Sequence, residues 1–126
     1  MMPEPTRART ALELFDRIAA NHLRSRPGVT LERVFHKEGL KVHKKLYAFV
    51  SQERLVVKVP ATMASRLSGE GLASPFEPRT GRKMKEWIAV HPPATATDER
   101  RWQRLAGDAY RFVATLPTAA KPRKRR

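Results

Sequence analysis

The sequence has no cysteine. Disulfides, thiolate metal sites and cysteine nucleophiles are excluded together, and the absence fits a reducing compartment. Acidic residues are few: 12 Asp and Glu face 26 Lys and Arg, for a formal net charge of +14 and a pI near 11.3. No run comes near the ~18 consecutive apolar residues of a membrane span. The opening Met1-Met2-Pro3-Glu4-Pro5 is polar and lacks the hydrophobic region of a secretory signal, so a cytoplasmic protein is expected.

Catalytic signatures are missing as well. There is no His-Glu-x-x-His, no Gly-x-Ser-x-Gly and no Gly-x-x-x-x-Gly-Lys-Ser/Thr. Gly69-Glu70-Gly71 follows a helical pattern and reads as a helix stop, not a phosphate cradle. The acids are spread out, with no pair in an acid/base relation. A non-enzymatic protein without a cofactor is expected.

What the chain does have is positive charge in several places. Lys121, Arg123, Lys124, Arg125 and Arg126 supply five charges, which leaves residues 1–117 with 21 Lys and Arg against 12 acids, a balance of +9. The basicity therefore belongs to the body as well as the end, and a surface of this kind attracts polyanions. On the body it clusters twice. Lys37, Lys41, Lys44 and Lys45 surround a first hairpin, and Arg79, Arg82, Lys83 and Lys85 surround Gly81. Side chains of these types at hairpin tips reach phosphates as point charges or forks.

The 126 residues fit one domain. Residues 1–9 read as a disordered lead, 10–117 as the folded domain and 118–126 as a basic tail too poor in apolar groups to fold. Thr10 with Glu13 has capping-box spacing, and Leu12, Phe15, Ile18, Ala19 and Leu23 form a helical stripe that Pro27-Gly28 ends. Short β-rich runs follow at Val34-Phe35, Leu40–Val42, Leu46–Val50 and Leu55–Val59, with tight turns at His43-Lys44 and Gln52-Glu53. Pro60 starts a short helix over Met63 and Leu67. Met84–Val90 reads as a last strand, and Thr97 caps a long helix carrying Trp102, Leu105, Ala106, Ala109, Phe112, Val113 and Leu116. The order predicts an α+β domain, with an antiparallel sheet of about four to five strands and helices packed on it.

Alternation in 45–51 places Leu46, Ala48 and Val50 on one sheet face, with Tyr47 and Phe49 on the other. Tyr47, Phe49 and Trp87 then form a candidate interaction face, because exposed aromatic patches mark interfaces. Trp102 begins the stripe of the last helix and is assigned to the core. His36 and His43 flank the first hairpin, but two imidazoles without a third ligand make a poor zinc site, so no metal is expected.

Several of these segments together resemble the TfoX N-terminal domain family, small bacterial proteins named after a regulator of DNA uptake competence. The resemblance is carried by Phe35, Gly39-Leu40-Lys41-Val42, Lys45, Ala48, Leu55-Val56-Val57-Lys58-Val59, Pro75-Phe76-Glu77-Pro78, Gly81, Met84 and Trp87. It implies the same α+β architecture. The family pattern puts small residues, usually glycine, where this chain has His36-Lys37 and His43-Lys44, so differently shaped hairpin tips are expected. The namesake carries a second, C-terminal domain, in whose place this chain has its basic tail. The expected function is a nucleic-acid-associated accessory or regulatory protein that binds through phosphates. The alternative is a protein-interaction module, such as a homodimer, built on the aromatic sheet face.

Overall fold

Thr10 and Glu13 close a reciprocal capping box, each side chain accepting the other's backbone N–H at 3.2 Å, and this starts helix α1 (Ala11–Ser25). The computed structural model describes residues 10–34, 37–76 and 86–116. Helix α1 buries Ala11, Leu14, Phe15, Ile18, Ala19 and His22. Leu12 and Leu23, expected inside, are 66% and 45% exposed. At 3.6 residues per turn they fall roughly 100° from the centre of the buried stripe. Two alanines on that stripe let the helix lie close to the sheet on its other side.

Six strands follow, interleaved with two more helices: β1 (Val29–Val34), β2 (Lys37–Val42), β3 (Lys45–Ser51), β4 (Arg54–Lys58), α2 (Ala61–Gly69), β5 (Ala73–Pro75), β6 (Trp87–Val90) and α3 (Ala96–Thr115). They form one antiparallel sheet in the order β1-β2-β3-β4-β6-β5, an α+β architecture. The count exceeds the four to five expected, because β5 is a three-residue strand ending in proline and carries almost no periodic signal. The His43-Lys44 and Gln52-Glu53 turns have φ of +52°, +67°, +55° and +64°. Two consecutive positive φ values suit the right-handed twist of a two-residue hairpin, although residues with a Cβ adopt them at a cost. The β2–β3 tip thus takes the left-handed backbone that glycine favours without having glycine.

The simple alternation expected for β3 is broken. Leu40 pairs with Ala48 but Lys41 pairs with Leu46, so Tyr47 is an extra residue with no partner on β2. Such a bulge puts two successive side chains on one face. Tyr47 and Ala48 both enter the helix-side core, and Phe49 returns to the second face. The placement of Tyr47 beside Phe49 and Trp87 is therefore corrected.

The main core lies between the sheet and the helices, with Leu14, Leu40, Val42, Tyr47, Leu55 and Trp102 almost fully inaccessible. Trp102 is at 0% exposure, and its indole N–H donates to the His91 carbonyl at 2.9 Å. Helix α3 is capped two residues earlier than expected: Thr95, not Thr97, is the cap, paired with Asp98. The Asp98 carboxylate also accepts from the Ala94 and Thr95 amides, so it holds three consecutive elements of that entry together.

Two stability outcomes follow. Trp102→Ala should cost about 3–5 kcal/mol in denaturant unfolding, as for other buried large aromatics, and leaves the His91 carbonyl without its indole donor. Replacing Gln52-Glu53 by Asn-Gly should instead gain about 1 kcal/mol, because the left-handed backbone is then adopted without strain. No gain in unfolding midpoint would show that the turn is not under strain.

Candidate nucleic-acid interface

The four hairpin lysines do not form one patch. Lys41 Nζ lies 3.1 Å from Glu32 Oε1 across β1–β2, and that hydrogen bond, with a second from Thr30, holds the Glu32 carboxyl below its usual range. Lys45 Nζ donates to the Leu116 carbonyl at 3.2 Å, at the C-terminal end of α3, where a cation complements the exposed carbonyls. Lys37 and Lys44 are exposed, but β2 separates them by roughly 17 Å at about 3.3 Å per residue. Lys37 lines a groove of about 1080 Å³ at the start of α1, where Asp16, Glu38 and Glu53 make the field mixed. Arg79, Arg82, Lys83 and Lys85 lie outside the described residues, as do Lys121, Arg123, Lys124, Arg125, Arg126 and His36.

A more uniform site stands on the helix side. Arg17, Asn21 and Arg24 project from the polar face of α1, and Arg100, Gln103 and Arg104 from that of α3. Arg26, which caps α1, completes a groove of about 850 Å³ between the two helices. Its lining holds five arginines, and among the described residues no carboxylate. Two acids of α3 turn elsewhere: Asp98 pairs with Arg101 at 2.8 Å, and Asp108 pairs with Arg111. The Ala94 amide, and then Arg101, keep the Asp98 carboxyl below its usual range, so it stays charged and committed to that corner.

Beneath the groove is a polar junction. His22 is 3% exposed, and its Nδ1 shares a 2.6 Å hydrogen bond with the Tyr47 hydroxyl. The two rings stack at 5.8 Å, and Tyr110 meets both edge-on. The Tyr110 hydroxyl donates to the Pro27 carbonyl at 2.9 Å, and the Arg26 guanidinium lies 5.2 Å above its ring. Burial, and then the positive charge of Arg26, push the His22 pKa down to about 4. Burial likewise pushes the Tyr47 phenol up. Both groups are therefore neutral at pH 7, and the charge at the junction belongs to Arg26. Its Nε is buried without a hydrogen-bond partner, a condition that costs about 1–3 kcal/mol for an ordinary donor.

Five guanidiniums in one concavity, with no carboxylate among its described lining residues, favour an anion with several oxygens, which forks of N–H donors bind in pairs. None of these arginines belongs to the basic clusters that stood out in the sequence. Their signal was present but lay on polar faces: 17, 21 and 24, and 100, 103 and 104, recur at helical spacing just as the apolar residues do. The candidate interaction face fares differently. Phe49 is 3% exposed and packs with Phe76 and Trp87 at ring distances of 5.8 and 6.0 Å, while Tyr47 is on the other side of the sheet. Of the three, only Trp87 remains half-buried.

The depressed His22 pKa gives a test of the junction. The unfolded chain takes up a proton there near pH 6.5 that the folded chain refuses until about pH 4. Stability is full above the upper value and falls as pH drops through the window, by on the order of 3 kcal/mol. Denaturant unfolding from pH 7 to 4.5 should show this loss, and His22→Gln should remove most of it. Equal slopes for the two proteins would mean that His22 is not held neutral.

Comparison of the chain with protein-family models, with curated proteins and with solved structures finds no match.

Proposed function

We propose that this protein is a non-enzymatic, cytoplasmic, nucleic-acid-associated accessory or regulatory protein that binds through phosphate contacts. The α1–α3 arginine groove is its main contact on the folded body. The observation that carries this reading is the convergence of Arg17, Arg24, Arg26, Arg100 and Arg104 in a groove where no described residue supplies a carboxylate. Guanidinium forks match phosphate oxygens in shape and charge, and an overall +14 strengthens attraction to any polyanion. The exposed Lys44 at the β2–β3 tip and the basic residues 121–126 are secondary contacts in this reading.

Membership of the TfoX N-terminal-like family is part of the same proposal. Its motif residues Leu40, Val42, Ala48 and Leu55–Val57 are buried in the sheet, as residues that define a shared fold would be. A cytoplasmic location accords with the described helices, none of which is long and apolar enough to cross a membrane. The alternative, a protein-interaction module on the second sheet face, has less to work with. Phe49 and Val56 are already covered, and Tyr47 is absent from that face.

Binding of the full chain to a labelled DNA duplex tests the proposal. Neutralising about five phosphates gives a log–log salt slope near −4.5, at about −0.9 per phosphate. Replacing Arg17, Arg100 and Arg104 together by Ala should weaken binding and flatten the slope by about one unit per lost contact, with Tm little changed. Replacing Arg82, Lys83 and Lys85 instead should have the smaller effect. No binding at low salt, or binding that persists at molar salt, overturns the reading.

A further inference from the structure

We propose that Arg26 is the groove's fixed phosphate fork: a guanidinium held by helix α3 in one orientation, which receives one phosphodiester of a bound strand and sets its register. The inference rests on the nucleic-acid reading above and adds which residue orients the ligand.

Three restraints act on this side chain. Its backbone is pinned at the end of α1 by an N–H bond to the His22 carbonyl at 2.9 Å. The guanidinium lies over the Tyr110 ring, and that ring is itself fixed by its bond to the Pro27 carbonyl and by the edge of Tyr47. On the side of α3 it rests against Gly107, where an added Cβ would stand 3.1 Å from Nη2. Glycine in the interior of a helix is unfavourable, and here it makes room for the arginine. The buried Nε has no acceptor, so a ligand in the groove is met by the Nη groups.

Arg17, Arg24, Arg100 and Arg104 are exposed and must surrender rotamer freedom to hold a phosphate. Arg26 has already given it up in folding. An arginine that is held flat at the border of an acid-free groove offers the N–H donors of its exposed edge in a fixed direction, and a phosphate oxygen is the matching acceptor. His22, neutral beneath it, adds no competing charge and no carboxylate to bind it internally. The other groove arginines then supply attraction, and Arg26 supplies orientation.

The test uses the full chain and a labelled DNA duplex, with Arg26→Lys, Arg26→Ala and Gly107→Ala, and with Arg66→Lys on α2 as the control outside the groove. Arg26→Lys keeps the charge but loses the fork, so affinity should fall about tenfold, nearly as far as for Arg26→Ala. Gly107→Ala touches no charge and should still weaken binding several-fold, by displacing the guanidinium. Its Tm should change little, because the helix preference of alanine offsets the cost of moving the guanidinium. In both Arg26→Lys and Gly107→Ala the salt slope should stay at the wild-type value. Should Gly107→Ala fail to fold, Arg26→Lys against the control decides. If wild type binds with a steep salt slope while Arg26→Lys and Gly107→Ala bind equally well, the fork is wrong and the broader reading stands. If wild type does not bind, both fall.

Discussion

The hydrogen bond between the Tyr47 hydroxyl and His22 Nδ1 exists because β3 carries a bulge. Without the extra residue, alternation would send Tyr47 to the second face of the sheet. With it, a phenol enters a largely apolar core and its hydroxyl needs a partner there. Among the described residues His22 is the buried titratable polar side chain beside it, and each group satisfies the other. Their stacked rings make the platform against which Tyr110 stands, and Tyr110 in turn carries Arg26. A local irregularity in one strand thus fixes the position of a guanidinium two layers away. The sequence of causes runs through α1, β3 and α3, the elements that frame the arginine groove.

Holding five arginines together is unfavourable, and the fold offsets only part of that repulsion. Arg24 and Arg26 lie at the C-terminal end of α1, where the helix dipole favours cations. Arg100 has the opposite placement, near the positive end of α3. Asp98, which could have neutralised the groove, is spent on the cap and on Arg101. His22 remains uncharged, so the junction does not add a sixth positive group. What is left is a positive groove whose described lining holds no carboxylate. Arrangements that break the local electrostatic rules without a stabilising return are where function is usually found.

Much of the architecture was legible in the pattern of residues. The α1 capping box, the two hairpin turns, the apolar stripe of α3 and the α+β class all appear where periodicity and spacing put them. Three features were not legible, each for a physical reason. Alternation cannot announce a bulge, because the register is set by the partner strand, so Tyr47 was assigned to the wrong face. Leu12 and Leu23 continue a helical spacing but lie on its flank, and only the sheet's position decides which edge is covered. The arginine groove joins residues from opposite ends of the chain, 17–26 and 100–104, and no local window contains both. The lysines that drew attention were adjacent in sequence, which is a poor guide to convergence in space.

The contrast between those lysines and these arginines has a structural origin. In the middle of β2 and at the start of β3 the sheet is packed or paired, so two of the lysines there are drawn into internal contacts. Lys41 meets Glu32, and Lys45 reaches the end of α3. A helix laid on a sheet buries one stripe and leaves the rest of its circumference without structural duty. Positions 17, 21 and 24 of α1 and 100, 103 and 104 of α3 occupy that remainder, and the antiparallel sheet beneath brings the two remainders side by side. Their side chains can take on a ligand without disturbing the core, whose residues are set by the complementary stripes. Arg26 is the exception that links the two, since it touches both the groove and the junction below it. Through it, the packing of the core and the charge of the groove are coupled: whatever shifts Tyr110 or Gly107 also moves a guanidinium that lines the groove.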